Sequence, residues 1–394
     1  MSRQLFSRNT DLTRLLNEGF DVAIKHDHLF VKQVPYLNSK KEIKYGTLIS
    51  NLCLNNDSTQ KPDPHTVFFD GETPYKADGA PLNTFAVSNE SLQLGGIIVA
   101  NMRFSAKPPN GYIDYYHKMT TYVAMLSGQV QLIDPNVTAK TFPVIEDSEE
   151  DSVFKYIDSA STRAGIYDIT KKLELGKIAI VGLGGTGSYV LDLVAKTPVR
   201  EIHLFDEDKF LQHNAFRSPG APSGAELSER LSKVHYFERI YSKMRRGIIC
   251  HPEYIDINNA DLLKEMNFIF LCIDKGSVKR LVLDKLLESN IPFIDVGMGV
   301  KISGNSLFGI LRVTTGTSAQ NNHINQKIIF SDNDANNEYD NNIQIADLNA
   351  LNAALAVIKW KKIFGFYNDL ENEHFCAYTI DGNHLLNEDI SCAG

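Results

Sequence analysis

The chain has 394 residues, of which 43% are hydrophobic, and a formal net charge of −8 at pH 7. The length predicts two domains, and the hydrophobic content is enough for packed cores. The negative charge argues against a nucleic-acid partner, because that binding depends on neutralising phosphates. No apolar run approaches the length of about 18 residues that a membrane-spanning helix needs.

The start of the chain, MSRQLFSRNTDLTRLL, lacks the apolar core of a secretory signal. Five cysteines are scattered along the sequence and suggest no disulfide framework. Both features favour a cytoplasmic protein. No CxxC pair occurs, so a four-cysteine zinc site is excluded and we expect no zinc.

The first 150 residues predict a small α+β domain, because short β-like stretches alternate with Pro, Gly, Asn and Asp. The strand candidates are HLFVKQVPYL, GTLISNLCL, HTVFF and GGIIVANMRF, and the helix candidate is GYIDYYHKMTTYVAML. Tyrosines of that helix pack in the core or present an aromatic surface to a partner, and the sequence leaves both interpretations open. The acidic stretch IEDSEEDS follows as a linker.

Residues 160–394 predict a doubly wound, mostly parallel, Rossmann-like α/β domain, because strands alternate with helices. The predicted strands are KIAIVG, EIHLFD, EYIDI, NFIFLCID and PFIDVGMG. The predicted helices are TGSYVLDLVAK, AELSERLSKVHYFERIYSKM, ADLLKEM and SVKRLVLDKLLES. An antiparallel strand, SLFGILRVTT, and a long helix, NIQIADLNALNAALAVIKWKKIFGF, complete the domain.

The stretch VGLGGTGSYV predicts a strand, a tight glycine turn and a helix, with Gly182, Gly184 and Gly187 in a GxGxxG pattern. Glycines let bare N–H groups approach phosphate, and the helix N-terminus adds partial positive charge. Asp206 ends the next strand, where a carboxylate binds a ribose. A dinucleotide-dependent oxidoreductase and an ATP-dependent enzyme both use this arrangement.

Cations further along the chain favour ATP. Asn214 and Arg217 follow the second strand, and Lys233 starts the body of the next helix. Asp274 ends the fourth strand on the same edge of the predicted sheet. Two cations and a carboxylate at that edge suit a triphosphate with Mg²⁺.

The ordered set GLGGTGS, LFDED, HNAFR, a lysine and CID resembles the adenylation domain of the ThiF, MoeB and ubiquitin-activating enzyme superfamily over residues 160–385. The resemblance implies an ATP- and Mg²⁺-dependent adenylyltransferase that activates the C-terminal carboxylate of a ubiquitin-like protein. The region before it resembles the uncharacterised domain that precedes ThiF-type domains in some bacterial proteins. A homodimer and a conjugating-enzyme-like partner are further implications of this resemblance.

The resemblance also assigns roles to residues. It gives phosphate binding to the glycine loop and to Asn214, Arg217 and Lys233, ribose binding to Asp206, and Mg²⁺ to Asp274. Arg163 would reach the ATP site of a neighbouring subunit, and Asp208 would be a metal ligand or a structural acid. The implied nucleotide-binding set is Gly182, Gly184, Gly185, Asp206, Asn214, Arg217, Lys233 and Arg163, and the implied catalytic set is Arg217, Lys233 and Asp274.

One departure concerns the cysteine that accepts the activated carboxyl group in much of this superfamily. No cysteine lies between Cys272 and Cys376, which leaves direct transfer to another protein, a cysteine elsewhere such as Cys392, or a hydroxyl with an adjacent base such as His323. The hydroxyl candidates are Thr314, Thr315, Thr317, Ser318 and Ser331. An inert nucleotide-binding scaffold and an NAD-dependent oxidoreductase are the alternative functions.

Overall fold

The chain is described by a computed structural model at residues 2–145, 152–330 and 343–387. It divides into two compact units. The first comprises Met1–Asp147 and Tyr156–Tyr167, and the second comprises Ser148–Lys155 and Asp168–Gly394. Across these described ranges, no helix is both long and apolar enough to cross a membrane.

The first unit is an antiparallel sheet with a long helix packed against it. Its strands are β1 (Asp21–Lys25), β2 (His28–Leu37), β3 (Ile43–Asn51), β4 (Leu54–Asn55), β5 (Ser58–Thr59), β6 (Val67–Asp70), β7 (Ala86–Ser88), β8 (Leu92–Leu94), β9 (Ile97–Ala100) and β10 (Met102–Ser105). Its helices are α1 (Ser2–Arg8), α2 (Thr10–Asn17), α3 (Tyr115–Gln131) and α4 (Ser159–Arg163), and α5 (Tyr167–Thr170) follows at the junction. The main sheet has the order β1-β2-β3-β6-β10-β7, and β4-β5 and β8-β9 form separate hairpins.

Helix α3 begins four residues later than the predicted segment, because the carboxylate of Asp114 accepts the N–H of His117 and caps the first turn. The tyrosines of this region do not form an aromatic surface. Tyr112, Tyr115 and Tyr122 are buried against the sheet, and the Tyr115 hydroxyl accepts the N–H of Cys53 at 2.6 Å. Core packing is therefore the role of these three tyrosines, whereas Tyr116 is half-buried with Arg14 over its ring.

A buried lysine in α3 predicts a pH-dependent stability. Lys118 is fully buried, donates to Ser50 Oγ at 2.7 Å and to the Pro64 carbonyl at 2.8 Å, and burial lowers its pKa from 10.5 to about 7. The unfolded chain therefore binds more protons between pH 7 and 10, so this group makes the fold more stable as the pH rises through that range.

We expect the free energy of unfolding of the wild type to rise relative to that of Lys118→Met between pH 7 and 10. The expected rise is about 1.4 kcal/mol for each unit by which the pKa of Lys118 is lowered. Urea unfolding followed by circular dichroism at several pH values measures this difference. A constant difference across the range would show that Lys118 keeps an ordinary pKa.

The second unit contains the predicted α/β sheet. Its strands are β11 (Lys177–Val181), β12 (Glu201–Phe205), β13 (Ile248–His251), β14 (Phe268–Leu271), β15 (Phe293–Ser303), β16 (Ser306–Gly316), β17 (Phe375–Thr379) and β18 (His384–Asn387). Its helices are α6 (Gly185–Val194), α7 (Gln212–Ala215), α8 (Gly224–Ser228), α9 (Lys233–Tyr241), α10 (Gly276–Glu288), α11 (Ile324–Lys327) and α12 (Ala346–Ile363), with 3-10 turns at Lys171–Leu173 and Ala260–Glu265.

The eight strands have the order β13-β12-β11-β14-β15-β16-β17-β18. The first five are parallel, and the last three extend the sheet in antiparallel fashion. In β11, Ile178 and Ile180 pack with α6 and α12, whereas Ala179 and Val181 pack with α10 on the other face. This confirms the doubly wound, mostly parallel sheet with helices on both faces.

Two predicted elements of this unit are wrong. The third parallel strand is β13, not EYIDI. Gly247 leads into β13 with φ +74, and its α-carbon lies so close to the Arg200 carbonyl that no side chain fits there. The predicted helix over 225–244 is two helices, α8 and α9. It is interrupted because Arg230 has φ +49 and Ser232 pairs with Lys209.

A buried arginine closes the far end of the central helix α6. Arg245 is fully buried and donates to main-chain carbonyls, at 3.3 Å for Thr197, 3.4 Å for Ala195 and 2.9 Å for Arg246, and also to Val199. These acceptors include the carbonyl of Ala195, which directly follows α6, and carbonyls of the chain leading to β12. A cation is favourable there because helix C-termini carry partial negative charge.

Candidate active site

The glycine loop joins β11 to α6 at the carboxyl edge of the parallel strands. Gly182 has φ +91, and a β-carbon there would lie 2.6 Å from the Cys272 carbonyl oxygen. A β-carbon on Gly187 would overlap the Gly182 carbonyl. Two glycines of the pattern are thus required by close packing, while Gly184 precedes the first turn of α6 with open space around its α-carbon.

Asp206 ties this loop to the end of β12. Its carboxylate accepts the N–H of Leu183 at 2.7 Å and the N–H of Asp208 at 2.9 Å, and the residue is only 5% exposed. The predicted ribose ligand therefore also fixes the position of the glycine loop.

Lys233 lies at the start of α9 and is paired with both acids of the LFDED segment. Its Nζ is 2.8 Å from the carboxylate of Asp208 and 3.3 Å from that of Asp206. Tyr254 donates to the other oxygen of Asp208 at 2.9 Å. Partial burial raises the pKa of Asp208, but the hydrogen bonds from Lys233 and Tyr254 outweigh this effect and lower it. Lys233 thus favours the ionised form of Asp208, and its phosphate role stays a prediction.

Arg217 and Asn214 lie in the segment after β12, as the sequence indicated. The side-chain oxygen of Asn214 accepts the N–H of Leu211 at 2.8 Å and shapes the short helix α7. The Nε of Arg217 is buried and has no hydrogen-bond partner within the described ranges. A buried N–H of this kind needs an acceptor, and the phosphate role of Arg217 stays a prediction.

Two residues of the site were missed by the sequence analysis, and both come from the start of the long helix region. Gln344 Oε1 accepts the N–H of Gly185 at 3.3 Å. Asn349 Oδ1 accepts the Thr186 hydroxyl at 3.0 Å, and its Nδ2 donates to the Arg217 carbonyl at 3.2 Å. Gln344 precedes α12, and the only available signal was the polar Asn349 at a buried position of that helix.

Asp274 follows β14 and is exposed at the same edge as the glycine loop and Asp206. The adjacent Lys275 places its Nζ 4.4 Å from the ring centre of Tyr254. Nearby, burial raises the pKa of the Cys272 thiol, which keeps it protonated and unreactive.

The residues present were compared with the ways in which proteins bind Mg²⁺. No group of three or more His, Cys, Asp or Glu side chains in the described part of the chain is placed to bind a metal by itself. Mg²⁺ commonly binds through one or two carboxylates plus substrate phosphates, and the exposed Asp274 carboxylate fits that mode.

Several other candidate residues belong to other elements of the chain. Arg163 is exposed at the end of α4 in the first unit, so its role stays a prediction. Thr314 and Thr315 are buried in β16, which runs away from the glycine-loop edge toward Thr317, since Gly316 pairs with Phe293 at the start of β15. The candidates Ser331 and Cys392 fall outside the described residues.

Comparison with known proteins agrees with this geometry. The profile of the ThiF family matches residues 156–357, just over half of the chain, and the profile of a domain of unknown function (DUF6791) matches residues 10–159. No curated protein matches significantly.

Similar solved structures include E. coli MccB with MccA-N7isoASN, at 17% identity and a TM-score of 0.46, covering 58% of this chain and 71% of that one. SeMet PaaA is 16% identical with a TM-score of 0.44, covering 57% of this chain and 76% of that one. On the family match, the chain belongs to the ThiF family and is an ATP-dependent adenylyltransferase of that family.

Proposed function

We propose that the protein uses Mg²⁺ and ATP to adenylate the C-terminal carboxylate of a ubiquitin-like protein. In this reaction the carboxylate attacks the α-phosphate, an acyl adenylate forms, and pyrophosphate leaves. The observation that carries the proposal is that three adjacent strands, β12, β11 and β14, end side by side in Asp206, the glycine loop and Asp274. Ligands of such sheets bind at that edge.

The contacts of the residues support the roles that we propose for them. The first turn of α6 offers N–H groups to phosphate, and Arg217 offers the buried Nε that lacks a partner among the described residues. Asp206 receives the ribose hydroxyls while holding the glycine loop. Asp274 would hold Mg²⁺, which neutralises the triphosphate and stabilises the departing pyrophosphate.

Pyrophosphate exchange tests the proposal directly. The purified chain is incubated with ATP, labelled pyrophosphate and ubiquitin-like proteins that end in glycine. We expect label to enter ATP only when the added protein has a free C-terminal carboxylate. The same protein with an amidated C-terminus is the matched control. Equal exchange with the amidated protein would contradict the proposal, and so would the absence of exchange with every ubiquitin-like protein offered.

The proposal includes a cytoplasmic homodimer in which Arg163 of one protomer serves the site of its partner, and a conjugating-enzyme-like protein as a further partner. Support for the dimer comes from the family resemblance and from the exposure of Arg163. Light scattering after size-exclusion chromatography tests it. A monomer that performs pyrophosphate exchange would remove both the dimer and the role of Arg163.

A further inference from the structure

Asn349 is a fully buried polar residue in α12, on the side of that helix that meets the glycine loop. Its amide oxygen accepts the hydroxyl of Thr186 at 3.0 Å, and its amide nitrogen donates to the carbonyl of Arg217 at 3.2 Å. Both polar atoms of the side chain are therefore used, and each contacts a different segment of the candidate site.

The same amide explains a glycine that phosphate binding alone does not require. A β-carbon on Gly185 would overlap the side-chain amide of Asn349. The amide thus lies directly against the first turn of α6, whose N–H groups face the expected phosphates. Asn349 therefore links three parts of the second unit, which are the glycine loop, the segment that follows α7, and its own helix α12.

These contacts matter because of Arg217. Its Nε is buried without a hydrogen-bond partner in the described part of the chain. The hydrogen bond from Asn349 holds the main chain of Arg217, and so fixes the origin of the guanidinium relative to the first turn of α6. A phosphate that binds both groups requires their separation to be set in advance.

We propose that Asn349 is a positioning residue for the phosphates of ATP, which holds Arg217 and the first turn of α6 in register; this rests on the proposed function. Asn349 contacts no substrate itself. Its effect is confined to ligands that carry phosphate and depends on the presence of the Arg217 side chain.

The test is calorimetric binding of ATP and of adenosine to the wild type, Asn349→Ala, Arg217→Ala and the double variant. We expect Asn349→Ala to weaken ATP binding about tenfold and adenosine binding by less than about twofold, since only phosphate contacts are misplaced. Arg217→Ala should weaken ATP binding about 10- to 100-fold. The double variant should bind ATP as Arg217→Ala does, because Asn349 acts through that arginine.

Asn352→Ala is the matched control. Asn352 is equally buried in α12 and donates from its amide to the Gly297 carbonyl at 3.1 Å, away from Arg217. We expect a similar loss of stability and an ATP affinity within about twofold of wild type. If Asn349→Ala does not fold, Thr186→Val replaces it, because this change removes the hydroxyl that holds the Asn349 amide. The ATP affinities of Thr186→Val alone and of Thr186→Val combined with Arg217→Ala then give the same test.

Wild-type ATP affinity in Asn349→Ala, equal losses for ATP and adenosine, or losses that multiply in the double variant would each overturn the inference. If any of these results is obtained and the wild type still performs pyrophosphate exchange, the proposed function stands without a positioning role for Asn349. A wild type that binds no ATP would overturn both.

Discussion

Asp274→Asn is expected to reduce adenylation by about 100- to 1,000-fold, and the loss should lie at the upper end because an electrostatic group and a metal ligand are removed together. The side chain is exposed at the end of β14 and keeps its size, so the fold should survive. Pyrophosphate exchange measures the loss, and circular dichroism verifies folding.

Cys272→Ser is the matched control two residues earlier on the same strand end. Its thiol is buried and its pKa is raised, so it lacks the reactive thiolate, and replacement should cost about 1–2 kcal/mol of stability with little effect on exchange. If Asp274→Asn retained near wild-type exchange while Cys272→Ser abolished it, the sulfur rather than the carboxylate would carry the chemistry.

Arg245→Met is expected to lower the free energy of unfolding of the second unit by about 3–5 kcal/mol, because it leaves several buried carbonyls without a donor. The aliphatic side chain of methionine fills much of the same space, so the loss reports the missing hydrogen bonds. Trp360 is the single tryptophan of the chain and is buried in the core beside Phe268 and Phe270, so its fluorescence in urea follows this unit.

Arg246→Met provides the comparison. Arg246 is exposed and also donates to two carbonyls, those of Ser152 at 2.9 Å and Phe154 at 2.8 Å. Because water can replace these bonds, its loss should be below about 1 kcal/mol. Equal losses for the two variants would show that the buried network of Arg245 contributes no more than a surface contact.

The alternation of strands and helices was predictable from sequence, because buried parallel strands are apolar runs of a distinctive length. Local pattern failed where tertiary contacts decide. GIICH and EYIDI both resemble strands, and only pairing with β12 selects the first. The break between α8 and α9 depends on hydrogen bonds from Phe210 to the Leu231 carbonyl and from Lys233 to the Asp208 carbonyl, which no helical periodicity encodes.

The site shows the same division. Asp206, Arg217 and Asp274 could be predicted as site residues because the order and spacing of charged residues after strands is a readable signal. The ion pairs of Lys233 with two carboxylates could not be predicted from sequence, since they join residues 25 or more positions apart. Asn349 was also missed, because its two partners lie more than 130 positions before it in sequence and meet it only in the folded unit.

Near the boundary between the two compact units, the chain enters the second unit, returns to the first and then enters the second again. This order limits where the gene can be divided to express each unit alone. Residues 152–155 belong to the second unit, where Phe154 is buried and bridges to Arg245, while Tyr156–Tyr167 belongs to the first. A truncation at residue 150 or 160 therefore removes a native segment from one half or the other. Separately expressed halves are expected to aggregate or to be degraded by proteases unless both are supplied together, so that fragment complementation becomes a route to studying either half.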